Sequence, residues 1–68
     1  MSYLLTVEFA DEAYEAEVEY DVNQLWEESE IGHVELFDMV GVPYDPFEKW
    51  SMEEIVDMTE FTCVEIAE

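Results

Sequence analysis

One basic side chain, Lys49, stands against twenty carboxylates, and the 68-residue chain carries a formal net charge of −19. So few cations leave little scope for internal ion pairs. They also argue against direct binding to nucleic acid or to an anionic membrane, both of which this surface would repel. A single cysteine, Cys63, excludes an intramolecular disulfide and fits a reducing compartment. Two glycines and two prolines leave little room for a linker, and there is no internal repeat. No apolar run approaches the ~20 residues of a membrane span. The opening Met1-Ser2-Tyr3-Leu4-Leu5 lacks the basic region and long apolar core of a secretory signal. The expectation is a single domain over residues 1–68, monomeric and cytoplasmic.

What is present is enough apolar material for a core. Half of the residues are hydrophobic, among them four Phe, four Tyr and two Trp. Chains this charged are often disordered because they cannot offset chain entropy; this composition predicts a folded protein. A folded chain of this mass exposes roughly 4,500 Å², which spreads the charge at one unit per ~240 Å². Duplex DNA drawn as a cylinder of ~10 Å radius carries one per ~110 Å². The average is thus about half that of DNA, and clustering on one face would close the gap.

Period-two alternation predicts two strands of a β-hairpin, over 3–9 and 14–22. Tyr3, Leu5, Val7 and Phe9 alternate, as do Tyr14, Ala16, Val18, Tyr20 and Val22. The connection Ala10-Asp11-Glu12-Ala13 is short enough for a hairpin but lacks a turn glycine. Asn23 is a candidate N-cap for a helix over 24–29. Ile31–Val40 reads as a helix closed by Gly41, although Ile31, His33, Glu35 and Phe37 also alternate as a strand would. Asp45-Pro46 suits the start of one helical turn. Ser51-Met52-Glu53-Glu54 is a capping box with Trp50 and Ile55 placed as its staple, predicting a helix over about 52–60. The tail Phe61–Ile66 alternates again and predicts a third strand. The expected fold is α+β, with an N-terminal antiparallel hairpin, short helices and a C-terminal strand (ββααβ-like), in a single sheet layer packed on helices.

The second strand carries the pattern that bears on function. With Tyr14 to Val22 facing inward, Glu15, Glu17, Glu19 and Asp21 face outward, repeating every ~6.7 Å. Phosphates along a DNA strand follow one another at roughly 7 Å, with a rise of 3.4 Å per nucleotide. Glu8, Asp11 and Glu12 would extend this acidic patch. A second set lies on the expected helices: Glu27, Glu28 and Glu30, then Glu53, Glu54, Asp57 and Glu60. Glu53 and Glu54 have a structural role, since negative charge in a first turn complements the helix dipole. Glu60, read as a helix end, does not. Tyr44 and Phe47, in the proline-containing loop, are candidate aromatic anchors beside acids. The plain alternative is that an acid row is a solvated face. Against it, like charges at this spacing destabilise a sheet, and no Lys or Arg interrupts the first 48 residues.

Catalysis finds no foothold. The single His, Cys and Lys form no nucleophile-and-base arrangement. His33-Val34-Glu35 with Asp38 matches no standard metal spacing, and Glu15–Asp21 lacks the glycine and closing glutamate of an EF-hand loop. No cofactor is implied. Cys63, in an apolar strand with no basic neighbour in sequence, reads as a buried core side chain.

In overall charge, size and the Glu15–Asp21 row, the chain resembles the small acidic DNA-mimic inhibitors of bacteriophages and mobile elements. That class includes anti-CRISPR, anti-restriction and DNA-glycosylase-inhibitor proteins. The resemblance implies a non-enzymatic protein in the bacterial host cytoplasm that occupies the basic groove of a CRISPR effector, restriction enzyme or repair enzyme. Two other readings compete. One is an acidic interaction subunit for a basic partner unrelated to DNA. The other is adaptation to high salt, which Glu outnumbering Asp fifteen to five and the abundance of bulky apolar residues disfavour.

Overall fold

Alternation along the first eighteen residues builds most of the sheet. The computed structural model describes residues 2–29 and 31–66. β1 (Ser2–Phe9) pairs antiparallel with β2 (Glu12–Val18), placing Val7 opposite Tyr14 and Phe9 opposite Glu12. β3 (Glu60–Ile66) pairs antiparallel with the other side of β1, Leu5 opposite Cys63. The strand order is β2-β1-β3, so the strand with a single carboxylate lies between two that carry more. Between β2 and β3 the chain runs through α1 (Val22–Ser29), α2 (His33–Val40), α3 (Pro46–Lys49) and α4 (Met52–Met58). This is the expected α+β layout of a hairpin, short helices and a third strand, with the helices on one face of the sheet.

The core forms where that face meets the helices. Leu5, Val7 and Phe9 from β1 lie against Val22, Ile31, Leu36, Phe37, Val40 and Ile55, each at most 9% exposed. Burying each such side chain contributes about 1.5–3 kcal/mol. Aromatic rings tie the layers together. Phe9 packs at 5.1 Å from Phe37 and edge-on at 5.2 Å from Trp50. Among the described residues no polar or charged side chain is buried, so the core needs no internal ion pairs.

Local signals close most of the helices as the residues imply. Gly41 takes φ 69°, the left-handed region, and its N–H donates to the Asp38 carbonyl while that of Val42 donates to the Phe37 carbonyl. This pairing is the Schellman motif. Asp45 caps α3 by accepting the Phe47 N–H at 2.9 Å, with Pro46 in the first helical position. Ser51 caps α4 by accepting the Glu54 N–H at 3.4 Å. Glu54 accepts the Ser51 hydroxyl at 3.1 Å rather than its backbone N–H, so the cap forms without the reciprocal bond of the expected box.

Four boundaries differ from the sequence expectation, each for a physical reason. The hairpin loop is two residues, not four: Ala10 and Asp11 take φ 51° and 65°, as a type I′ turn demands. The second strand ends at Val18 rather than at residue 22. Asp21 leaves the sheet to cap α1, its carboxylate accepting the Asn23 N–H at 3.0 Å and its carbonyl the Leu25 N–H at 3.1 Å. Asn23, the expected cap, donates its side-chain amide to the Cys63 carbonyl at 3.1 Å and ties α1 to β3. The last helix stops at Met58, and Glu60 belongs to β3, where it pairs with Glu8 instead of ending a helix.

Candidate functional site

The helices cover one face of the sheet and leave the other open. Alternation assigns the open face. Across β2-β1-β3 its rows read Ala13–Glu8–Glu60, Glu15–Thr6–Thr62 and Glu17–Leu4–Val64, with Ser2–Ile66 beyond. The carboxylates therefore form an L. Its upright is Glu15 and Glu17 along β2, and its foot is Glu8 and Glu60 across the hairpin end. The remaining corner holds Thr6, Thr62 and the exposed apolar pair Leu4 and Val64, 36% and 61% exposed. Glu8 directly opposite Glu60 is a like-charge pair that weakens the ladder. β2 is also an edge strand, and an acid-lined edge resists pairing with another copy.

The expected row of four acids is thus shorter in the sheet. Glu15 and Glu17 are held in the β2 ladder, Glu19 follows in an exposed bend, and Asp21 is committed to the α1 cap. Five other expected acids come together instead. Glu8, Asp11, Glu12, Asp57 and Glu60 line one open cleft of about 350 Å³ at the hairpin tip, where α4 runs into β3. Glu12 is on the helix-side face opposite Phe9 and accepts the Tyr14 hydroxyl at 2.6 Å. That bond, helped by the neighbouring Tyr44 phenol, holds the Tyr14 hydroxyl protonated far above the ordinary tyrosine range. Glu27 and Glu28 are exposed on α1, apart from both groups. Glu30 lies outside the described residues.

The aromatic candidates separate. Tyr44 is 39% exposed, while Phe47 is half-buried with its ring 5.9 Å from Phe37. Both line a second groove of about 500 Å³ between α2 and residues 42–47, whose rim holds Glu35, Asp38 and Asp45. None of those three acids is among the partner-binding candidates from sequence, where Glu35 and Asp38 enter only as a rejected metal set and Asp45 as the start of a helical turn. The available signal was Val34, Glu35 and Asp38 on one turn-spaced face of α2. The single lysine lies on another side of Tyr44, its Nζ 4.9 Å above the Trp50 ring.

His33 packs edge-on to Trp26 at 5.2 Å, and burial lowers its pKa below the ordinary 6.5. Among the described residues no three His, Cys, Asp or Glu side chains are grouped to hold a metal ion. No helix there is long and apolar enough to cross a membrane. Cys63 is half-buried on the helix side of β3. In comparisons with protein-family models, with curated proteins and with solved structures, the chain matches none.

Proposed function

We propose that this protein is a nucleic-acid mimic that binds the basic groove of a host defence or DNA-processing protein and excludes the nucleic acid. It turns over no substrate and acts by stoichiometric occupation. The observation that carries the reading is the open sheet face with the adjoining hairpin-tip cleft. Together they gather Glu8, Asp11, Glu12, Glu15, Glu17, Asp57 and Glu60, while the one lysine lies over Trp50. The 4758 Å² of accessible surface carries a net charge of −19, about one unit per 250 Å². A field of that strength speeds encounter with a basic surface and makes binding salt-sensitive.

Two ladder positions on β2 set the phosphate-like spacing of ~6.7 Å, so Glu15 and Glu17 are the residues to test. Neutralising both as E15Q/E17Q costs on the order of 2 kcal/mol of partner affinity, about thirtyfold. The decisive experiment is capture of partners from bacterial lysate with a salt gradient, followed by competition. A DNA-processing protein released by salt and displaced by duplex DNA supports mimicry. A partner that ignores excess duplex overturns it.

The apolar corner favours a second reading, an interaction subunit for a basic partner unrelated to DNA. Phosphate backbones offer nothing like Leu4 and Val64, and their exposure suits contact with apolar groups on a protein. Loss of binding in L4S/V64S with undiminished competition by DNA assigns them to the same groove. Loss without competition favours the second reading.

A further inference from the structure

We infer that the groove between α2 and residues 42–47 is a receptor for an arginine side chain presented by the partner. The inference rests on the reading that the partner surface is basic, and it places a contact on the helical layer, away from the open sheet face.

The floor of this groove is aromatic. Phe37 and Phe47 meet at 5.9 Å, and Tyr44, 39% exposed with its ring 6.4 Å from Trp50, lines the same groove. At about 500 Å³ its volume falls within the roughly 300–1,000 Å³ of small-ligand sites. Carboxylates supply the rim. Glu35 spends one oxygen on the Gly32 N–H at 3.2 Å, and Asp45 spends one on its cap, so each keeps acceptor capacity facing solvent. Asp38 is exposed on α2.

Capping accounts for Glu35 and Asp45, but helix stability does not explain Asp38. Asp38 stands in the last turns of α2, where the dipole disfavours negative charge, and Glu35 and Asp38 are a like-charge pair at i, i+3. Val34, on the same helical face, is 59% exposed. Local geometry also braces the groove. The Schellman motif at Gly41 turns the chain, Pro43 and Pro46 restrict the loop, and Asp45 pins Phe47. A preformed site spends less binding energy on ordering.

Charge complementarity requires a cation, and the aromatic floor selects among cations. A planar guanidinium stacks on ring faces while its edge takes carboxylates in plane, and its methylene stem covers apolar surface. A lysine ammonium is more strongly hydrated and lacks the fork. The chain makes a smaller version of the contact itself, with Lys49 over Trp50.

The test is an amide-resolved NMR titration at physiological salt with N-acetyl-arginine amide, using N-acetyl-lysine amide as the charge control. Arginine should shift amides in 34–38 and 42–47 saturably, about tenfold more tightly than lysine. Y44A should weaken it about tenfold. D38N, a surface change that leaves the loop intact, should weaken it about threefold. Equal shifts from both probes, or shifts spread over every acidic segment, overturn the inference. Binding by E15Q/E17Q separates the two sites. If that variant loses the partner while arginine ignores the groove, the groove assignment fails and the sheet-face reading stands. If arginine binds the groove but the variant keeps its partner, the sheet-face assignment fails instead.

Discussion

The two faces of the sheet divide the work of the molecule. On the helix side, Leu5, Val7 and Phe9 are at most 1% exposed and meet a core that, among the described residues, buries no polar or charged side chain. One residue along in each case, on the open side, Leu4, Thr6 and Glu8 each meet a glutamate on one neighbouring strand, Glu17, Glu15 and Glu60 in turn. The same backbone ladder serves both faces, so a one-residue slip would exchange them. The lesson is that charge on one side is tolerable because stability is gathered on the other.

That division predicts opposite responses to substitution. Phe9→Ala should cost about 3–5 kcal/mol. A domain of this size has roughly 3–10 kcal/mol in total, so a melt followed by circular dichroism should show the variant largely unfolded or nearly so. E15Q/E17Q, on the open side, should melt no lower than the parent while losing partner affinity. If E15Q/E17Q destabilises the fold as Phe9→Ala does, the division between faces is wrong.

The hairpin turn sharpens the comparison because it sets which residues face which way. Ala10 and Asp11 both adopt left-handed backbone, which costs an alanine roughly 1–2 kcal/mol relative to its preferred regions. A10N/D11G supplies the residues that a type I′ turn favours. It should raise stability by about 1 kcal/mol, read as a higher urea midpoint at unchanged slope. A lower midpoint would show that the register does not depend on this turn.

The turn also marks a limit of what could be read from the residues. Alternation located all three strands, and Gly41, Asp45-Pro46 and Ser51-to-Glu54 located helix ends, because each is a local backbone requirement with a local side-chain answer. The end of β2 was not legible. Tyr20 and Val22 continue the alternation, and only packing of Val22 under the sheet turns Asp21 into a cap. Of the candidate acids, the ladder positions Glu15 and Glu17 were legible as outward-facing. The hairpin-tip cleft was not, since it joins segments distant in sequence, and the α2 groove was not, since it depends on how the loop 42–47 folds back on the helix before it.

Within the open face, the Glu8–Glu60 pair offers a smaller effect. Directly opposed like charges oppose strand pairing, and Glu60→Thr should relieve about 0.2–1 kcal/mol. The gain should shrink in high salt, which already screens the pair. A salt-independent gain would attribute the effect to β-propensity rather than to charge.

The smallest effect tests whether the two faces are electrically separate. His33 sits on the helical layer against Trp26 and near Phe37, and burial depresses its pKa below 6.5. The net charge of −19 pulls the other way, since a negative field favours imidazolium. With the folded value depressed, the unfolded chain binds the proton first as pH falls. The contribution of His33 is then complete above the unfolded pKa and declines below it toward the folded one. The stability of the parent relative to His33→Gln should therefore rise with pH up to about 6.5 and level off. An NMR titration of the imidazole should give a midpoint below 6.5. A midpoint above it would mean that the acidic field outweighs burial, and a fall of that midpoint in E15Q/E17Q would trace the field to the open face rather than to Glu35 and Asp38 on α2 itself.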